Sequence, residues 1–386
     1  VDQILSKVWN QSFGVVGVSA HGHRSPLKRP FITAARRTDS VDYVVVDVAV
    51  ETAGGIFRAQ GSAAETVKVT GESAQTILRE VNGPIRSELE RFRGTLEEMY
   101  QLLERVAPNA TSARAAVDVA VHSAVATAHG LPLGVLLSGY PPYSFPSGSL
   151  DGELTNDMTV SLDAPEIMAQ RAAEAVRDGY SILKIKLGSD PEADRVRLQS
   201  VMDATPGVSL RLDANQGWTT EQAIRLINEL ADTELPIDLI EQPLAREDIA
   251  GMAKVTARSP IPIMADESLW SPVDADRIIE HSAATLLNIK LAKTGGLQPA
   301  IQIAHKAQEA GLSCMVGAMM EPRISIAAAA HLALGHPAVT MIDLDPPAWF
   351  ANDVPRGGYT ESEGKLRLNQ GPGLALETLE PAEDPL

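Results

Sequence analysis

Two lysines flank a single isoleucine in Leu183-Lys184-Ile185-Lys186-Leu187-Gly188, an apolar run with the length and composition of a buried strand. Side chains alternate between the faces of a strand, so Lys184 and Lys186 share one face and Ile185 takes the other. Lysine is rarely buried without a partner, and adjacent ammonium groups repel, so anionic groups must face this pair. Candidates recur downstream at a steady interval, each behind a short apolar run. Asp213 lies 27 residues after Lys186, Glu241 a further 28 and Asp266 a further 25. Lys290 follows 24 residues later, and Asp343 another 53, two such intervals on.

A single Asp behind a strand is usually a helix N-cap. Three acids in successive units are better read as ligands, because carboxylates gathered at one point stay ionised only around a cation. An all-oxygen donor set, with no Cys/His cluster, selects a hard divalent ion, Mg²⁺, over zinc. Lys186 and Lys290 stand four units apart out of eight, so each can address one face of a carbon beside a metal-bound carboxylate. That is the geometry for removing a Cα proton on one face and returning it on the other, with divalent charge stabilising the enediolate in between. Such a base needs a lysine pKa lowered toward working pH, which Lys184 and the ion are expected to provide. Asp343-Leu344-Asp345 places two carboxylates on one face and suits a cationic group such as a substrate ammonium. The plainer reading is an Asx turn ahead of Pro346-Pro347.

These positions need a scaffold that brings distant residues together. After Asp151 the chain alternates strand and helix: strands at 158–162, 181–187, 208–212, 237–240, 263–265, 286–291, 313–317 and 340–344, with helices at 165–178, 191–203, 219–232, 247–257, 273–282, 297–310 and 322–335. Eight strands in this alternation predict a closed parallel barrel, whose strands all end in one mouth. The fold class is α/β: a (β/α)7β TIM-like barrel over 151–354. An N-terminal α+β capping domain is expected over 1–150, completed by about 355–386. Residues 1 to about 75 read as strands and turns, with valine-rich Phe13–Ala20 and Tyr43–Thr52 and a hairpin turn at Ala53-Gly54-Gly55. Gly22 to Pro26 reads as a polar loop. Helices are expected over 74–82, 87–105 and 110–129.

Composition narrows the partners. The 386 residues carry 33 Lys+Arg against 50 Asp+Glu, a net charge of −17, which argues against nucleic acid or an anionic membrane surface. No run approaches the roughly 18 apolar residues of a membrane helix. One cysteine, Cys314, excludes an internal disulfide, and the start of the chain lacks a signal-peptide pattern, so a cytoplasmic location is expected.

In this order and spacing, Lys-Ile-Lys, Leu-Asp-Ala-Asn, Ile-Glu-Gln-Pro, Ala-Asp-Glu-Ser and Asn-Ile-Lys-Leu-Ala-Lys-Thr-Gly-Gly resemble the enolase superfamily, in its muconate-lactonizing-enzyme subgroup. Asp343-Leu344-Asp345 is similar to the Asp-x-Asp with which dipeptide epimerases hold the substrate α-ammonium. Pro30 to Arg36, Cys314 to Glu321 and Arg356-Gly357-Gly358 support the match. The resemblance implies one Mg²⁺ held by Asp213, Glu241 and Asp266, and Lys186 and Lys290 as the acid/base pair. It also implies Lys184 on the substrate carboxylate, Asp343 and Asp345 on the ammonium, and Arg36, Ala318 and Met320 as further substrate contacts. The implied reaction inverts the C-terminal residue of an L,L-dipeptide, as with Ala-Glu from cell-wall peptide, in a homo-oligomer. The chain departs from the pattern at Gly61-Ser62-Ala63, where Gly-Glu-Ala is usual, and at Ala318, where serine is common; Arg37 beside Arg36 leaves their register open. The 20s segment, with His21, His23, Arg24, Lys28 and Arg29, is unusually basic and suits an acidic dipeptide. Related alternatives are an amino-acid or N-acylamino-acid racemase and an o-succinylbenzoate synthase or cycloisomerase. A non-catalytic binding barrel is the alternative of another class.

Overall fold

A computed structural model describes residues 2–32, 37–141, 150–188, 190–233 and 235–381. The chain begins with helix α1 (Asp2–Trp9), followed by strands β1 (Phe13–Ile32), β2 (Arg37–Thr52) and β3 (Gly55–Ala64). Helices α2 (Ala74–Glu80) and α3 (Arg86–Leu89) flank a π-turn at Val81–Ile85. Strand β4 (Arg93–Gly94) and helices α4 (Leu96–Val106), α5 (Thr111–Ala128) and α6 (Leu133–Ser138) come next. The four strands form an antiparallel sheet ordered β3-β2-β1-β4. Alanine- and valine-rich α5 packs on this sheet so closely that a Cβ on Gly61 would fall 1.9 Å from the Ala116 carbonyl oxygen, so only glycine fits there.

Three expectations change here. The expected polar loop at Gly22–Pro26 is strand: β1 continues through it, opposing Val44, Tyr43, Asp42, Val41 and Ser40 of β2 in turn. Its polar residues are satisfied across that ladder, with Arg24 bidentate on Asp42 and the His23 ring stacked on Tyr43. The helix expected over 87–105 is two, because the Thr95 hydroxyl and Glu98 carboxylate form a capping box that starts α4 afresh. The segment expected as strands and turns opens with α1, an eight-residue helix.

Strand β5 (Glu153–Thr155) pairs outside the barrel with β15 (Lys365–Leu368), which pairs with β14 (Tyr359–Ser362). The barrel strands are β6 (Met158–Val160), β7 (Ile182–Lys186), β8 (Ser209–Asp213), β9 (Ile237–Glu241), β10 (Ile263–Ala265), β11 (Leu286–Lys290), β12 (Ser313–Gly317) and β13 (Val339–Asp343). Between them run α7 (Pro165–Arg177), α8 (Pro191–Ala204), α9 (Thr220–Ala231), α10 (Ile249–Thr256), α11 (Pro272–Glu280), α12 (Leu291–Thr294), α13 (Leu297–Glu309) and α14 (Arg323–Gly335), with α15 (Pro346–Trp349) after β13. All eight strands are parallel and adjacent in sequence order, giving the nearly closed (β/α) barrel expected. Side chains bridge the seam between its first and last strands: Arg211 donates to Asp157 and to the Ile342 carbonyl, and Asn156 accepts from the Leu344 amide.

The period of two sorts the barrel interior into layers. Leu239, Met264 and Met315, with Leu286 and Met341, form an apolar layer. Two residues on along their strands come Glu241, Asp266, Gly317, Asn288 and Asp343, so polarity begins where the strands approach the mouth.

Candidate active site

The parallel registers set Lys186 beside Asp213 and Asp213 beside Glu241, while Asp266 follows the last residue of β10. Asp213 and Glu241 are wholly buried and Asp266 is 3% exposed. Each acid meets a lysine: Lys186 Nζ lies 2.6 Å from Asp213 Oδ2, Lys184 Nζ 2.7 Å from Glu241 Oε2, and Lys290 Nζ 2.7 Å from Asp266 Oδ2. Lys186 and Lys290 therefore flank the three carboxylates, one beyond each end of the row.

The charges are unevenly balanced. Burial raises Asp266, but Lys290 and Lys293 outweigh it and hold that carboxyl well below its ordinary range. Asp213 is likewise lowered against burial by Lys186 and Lys184. Burial and Asp213 instead push Glu241 up to about 7. Its Oε1 accepts from Asn288 at 2.9 Å, but Oε2 receives no directed hydrogen bond. Among the described residues no three carboxylate, imidazole or thiolate groups converge on one point, and Lys184 sits among Asp213, Glu241 and Asp343 instead. The donor set nonetheless fits a hard divalent cation: three buried carboxylates on successive units, all-oxygen donors, with Glu241 Oε2 met by an ion pair and no directed hydrogen bond.

Lys290 has its space from Gly317, where a Cβ would stand 3.2 Å from the lysine Cε. The expected lowering of the base is not found at Lys290. Burial lowers it, but Asp266 at contact distance and Glu241 raise it by more. The lowered lysine is Lys293, for which burial outweighs Asp266. Lys293 Nζ donates to the Asp266 carbonyl and Oδ1 and to the Asn288 carbonyl. It stands one turn along from Lys290 in the Asn-Ile-Lys-Leu-Ala-Lys run, and that spacing was the available signal for it.

A cavity of about 200 Å³ opens over these groups, lined by Lys184, Lys186, Asp266, Lys290, Asp343 and Asp345 among others. Ala318 and Met320 line it. Both acids of Asp343-Leu344-Asp345 face it, but each already has one oxygen engaged. Asp343 Oδ2 accepts from Lys184 at 2.7 Å, and Asp345 Oδ2 accepts from the Thr159 amide and the Trp349 indole. Burial and Asp343 push Asp345 up to about 6, whereas Lys184 and Lys290 overcome burial to hold Asp343 at about 2.

Arg36 lies outside the described residues. Arg37 pairs with Asp39 on an exposed surface. The basic 20s segment is committed away from the cavity: Lys28 donates to the Ala348 carbonyl, Arg29 stacks over Trp349, and burial pushes His23 down to about 4, leaving it neutral. Of β1, Phe31 reaches the cavity. Besides Lys293, the cavity-lining cations that sequence reasoning missed are Lys68, from the loop after β3, and Arg246, from the loop after β9. Glu267 and Asn215 also line it, each with one orphaned oxygen.

Residues 167–382 match the family described as enolase C-terminal domain-like, and residues 15–138 match the N-terminal domain of mandelate racemase / muconate lactonizing enzyme. The L-Ala-D/L-Glu epimerase of Clostridium acetobutylicum is 39% identical over 92% of this chain and 97% of its own. A substrate-liganded structure of the L-Ala-D/L-Glu epimerase from Bacillus subtilis superposes with TM-score 0.87 at 34% identity, covering 94% of this chain and 98% of that one. The dipeptide epimerase from Enterococcus faecalis V583, complexed with Mg and L-Leu-L-Tyr, superposes with TM-score 0.86 at 32% identity, covering 95% of this chain and all of that one.

Proposed function

The chain belongs to the enolase superfamily, in its mandelate racemase / muconate lactonizing group, and from that premise we propose that it is a Mg²⁺-dependent dipeptide epimerase acting at the C-terminal residue. The observation that carries the reading is the placement of Lys186 and Lys290 at opposite ends of one row of buried carboxylates, with Asp343 and Asp345 in the same cavity.

Asp213, Glu241 and Asp266 would hold one Mg²⁺ per site, and the ion would supply positive charge that stabilises the developing enediolate. Lys184, wedged between Glu241 and Asp343, adds a fixed positive charge beside that carboxylate. One lysine takes the Cα proton, leaving an enediolate, and the other returns a proton on the opposite face. Asp343 and Asp345 hold the α-ammonium through charge-assisted hydrogen bonds, which an N-acylated or ammonium-free substrate could not make. Lys68 and Arg246 at the cavity favour a dipeptide with an acidic side chain, as in L-Ala-L-Glu. Such a substrate connects the enzyme to turnover of cell-wall peptide. A homo-oligomer and a cytoplasmic location complete the proposal; among the described residues no helix is long and apolar enough to cross a membrane.

The test is incubation with Mg²⁺ and a dipeptide library in D₂O, reading mass gain and inversion at the C-terminal Cα. Exchange with inversion on at least one dipeptide is expected, and no exchange with any of them overturns the reading.

A further inference from the structure

The turn that follows Lys290 is held from two sides by different parts of the chain. Helix α12 starts directly from Lys290 and ends in Gly295-Gly296, with φ of 79° and 145°. From the barrel, Lys293 ties α12 to Asp266 at 2.5 Å. From the opposite side comes α5, the helix packed on the N-terminal sheet. Asp118 of α5 is wholly buried, and its Oδ2 accepts from the Leu297 amide at 2.6 Å.

Leu297 is the first residue of α13, whose N-cap is Gly296, a residue with no side chain to offer. The first amides of a helix need acceptors, and a carboxylate there also meets the positive end of the helix dipole. Asp118 supplies this from across the interface. The fit leaves no slack: a Cβ on Gly296 would lie 2.7 Å from Asp118 Oδ2, and one on Gly295 would lie 2.6 Å from Arg114 Nη2. His122, one turn further along α5, hydrogen-bonds the Asp118 backbone carbonyl through Nδ1 at 2.8 Å, and that nitrogen stands 3.2 Å from Oδ1, which takes no hydrogen bond.

The turn after Lys186 is held from within the barrel instead: Gly188, two residues on, donates its amide to the buried Asp194 carboxylate at 2.8 Å and packs against Ala214 and Gly217. We propose that Asp118 is a positioning residue for Lys290: through the Leu297 amide and the Gly295-Gly296 turn, α5 fixes where the Lys290 ammonium stands, and leaves Lys186 untouched. The inference rests on the two-lysine epimerase reading.

Each lysine would exchange the Cα proton of only one epimer, so damage to one lysine is visible as asymmetry. The experiment follows deuterium entry from D₂O separately for the L,L- and L,D-epimers of a dipeptide that the unmodified protein turns over, with Lys290→Ala identifying the epimer that Lys290 serves. Asp118→Ala is expected to slow exchange of that epimer by about tenfold to a hundredfold, the scale of a small misplacement of a reacting group, and the other epimer far less. Asp118→Asn keeps an acceptor for the Leu297 amide and is expected to restore near-normal rates. Equal slowing of both epimers, or none, overturns the proposal.

Should Asp118→Ala fail to fold, Gly296→Ala displaces the same turn from the barrel side and is read in the same way. Hydrogen exchange of the backbone amides of 291–297, measured on the full chain without substrate, gives a second readout: Asp118→Asn should keep their protection, and Asp118→Ala or Gly296→Ala should lose it. Unchanged protection overturns the proposal. If the unmodified protein exchanges no dipeptide, the epimerase reading fails, while the amide measurement still decides whether α5 holds the turn.

Discussion

Lys293 Nζ stands 2.5 Å from Asp266 Oδ1 while Lys290 Nζ stands 2.7 Å from Oδ2, so a single carboxylate is shared by two ammonium groups one helical turn apart. Lys290 has access to the cavity at 6% exposure, whereas Lys293, at 1%, is locked to backbone carbonyls as well. Lys293 therefore orients Asp266. Partners that orient a metal ligand are typically worth about 10- to 100-fold in metal affinity or activity. Lys293→Met is expected to weaken Mg²⁺ binding by that amount, read by calorimetric titration of the substrate-free protein. An affinity equal to that of the unmodified protein would reduce Lys293 to a packing role.

Lys186 and Lys290 are not interchangeable, because they stand at opposite ends of the carboxylate row. Replacing either with alanine should lower inversion by at least about 10²- to 10⁴-fold, the usual contribution of a positioned acid or base. Each variant should still let the surviving lysine exchange one epimer's Cα proton with D₂O without inverting it. Chiral chromatography with mass detection separates the two outcomes. Inversion surviving in either variant rules out one lysine per face.

The barrel was legible because its interior obeys a period of two and its polar residues recur once per βα unit, so Lys186, Asp213, Glu241, Asp266 and Lys290 could be aligned from spacing alone. Contacts that depend on tertiary approach were not legible. Lys184 reads as the twin of Lys186, yet it sits two residues deeper and is captured by Glu241 and Asp343. The 20s segment reads as a basic loop because its charges are visible in sequence while Asp42, Tyr43 and Trp349, which absorb them, are remote. Asp118 reads as one polar residue on an alanine-rich helix, since nothing local announces a partner 179 residues away.

Asp345 offers a clean test of ammonium recognition. Its Oδ2 accepts from the Thr159 amide and Trp349 indole, contacts that an asparagine oxygen can keep, whereas Asp343 also carries Lys184. A hydrogen bond to a charged group is worth about 1.5–3 kcal/mol. Asp345→Asn should therefore raise KM for a free dipeptide by about 10- to 150-fold, with little change in its melting temperature. If KM is unmoved, the ammonium is held elsewhere.

Acid sensitivity should trace in part to His331, far from the carboxylate row. This residue of α14 is wholly buried, its Nδ1 accepts from the Gly134 amide at 3.1 Å, and burial alone pushes it down to about 3 from 6.5. In the unfolded chain the imidazole protonates near 6.5, so between that value and about 3 the unfolded state binds the extra proton. The stability is full above pH 6.5 and is lost as pH falls; at pH 5 the loss is about 2 kcal/mol, at 1.36 kcal/mol per unit. His331→Asn keeps an acceptor for Gly134 but cannot titrate. Urea denaturation at pH 7.5 and pH 5 should therefore show a smaller loss in the variant, by about that amount. His23 and His336, each pushed down to about 4 by burial, keep the loss from vanishing. A loss identical in the two proteins would assign the acid sensitivity to those histidines and not to His331.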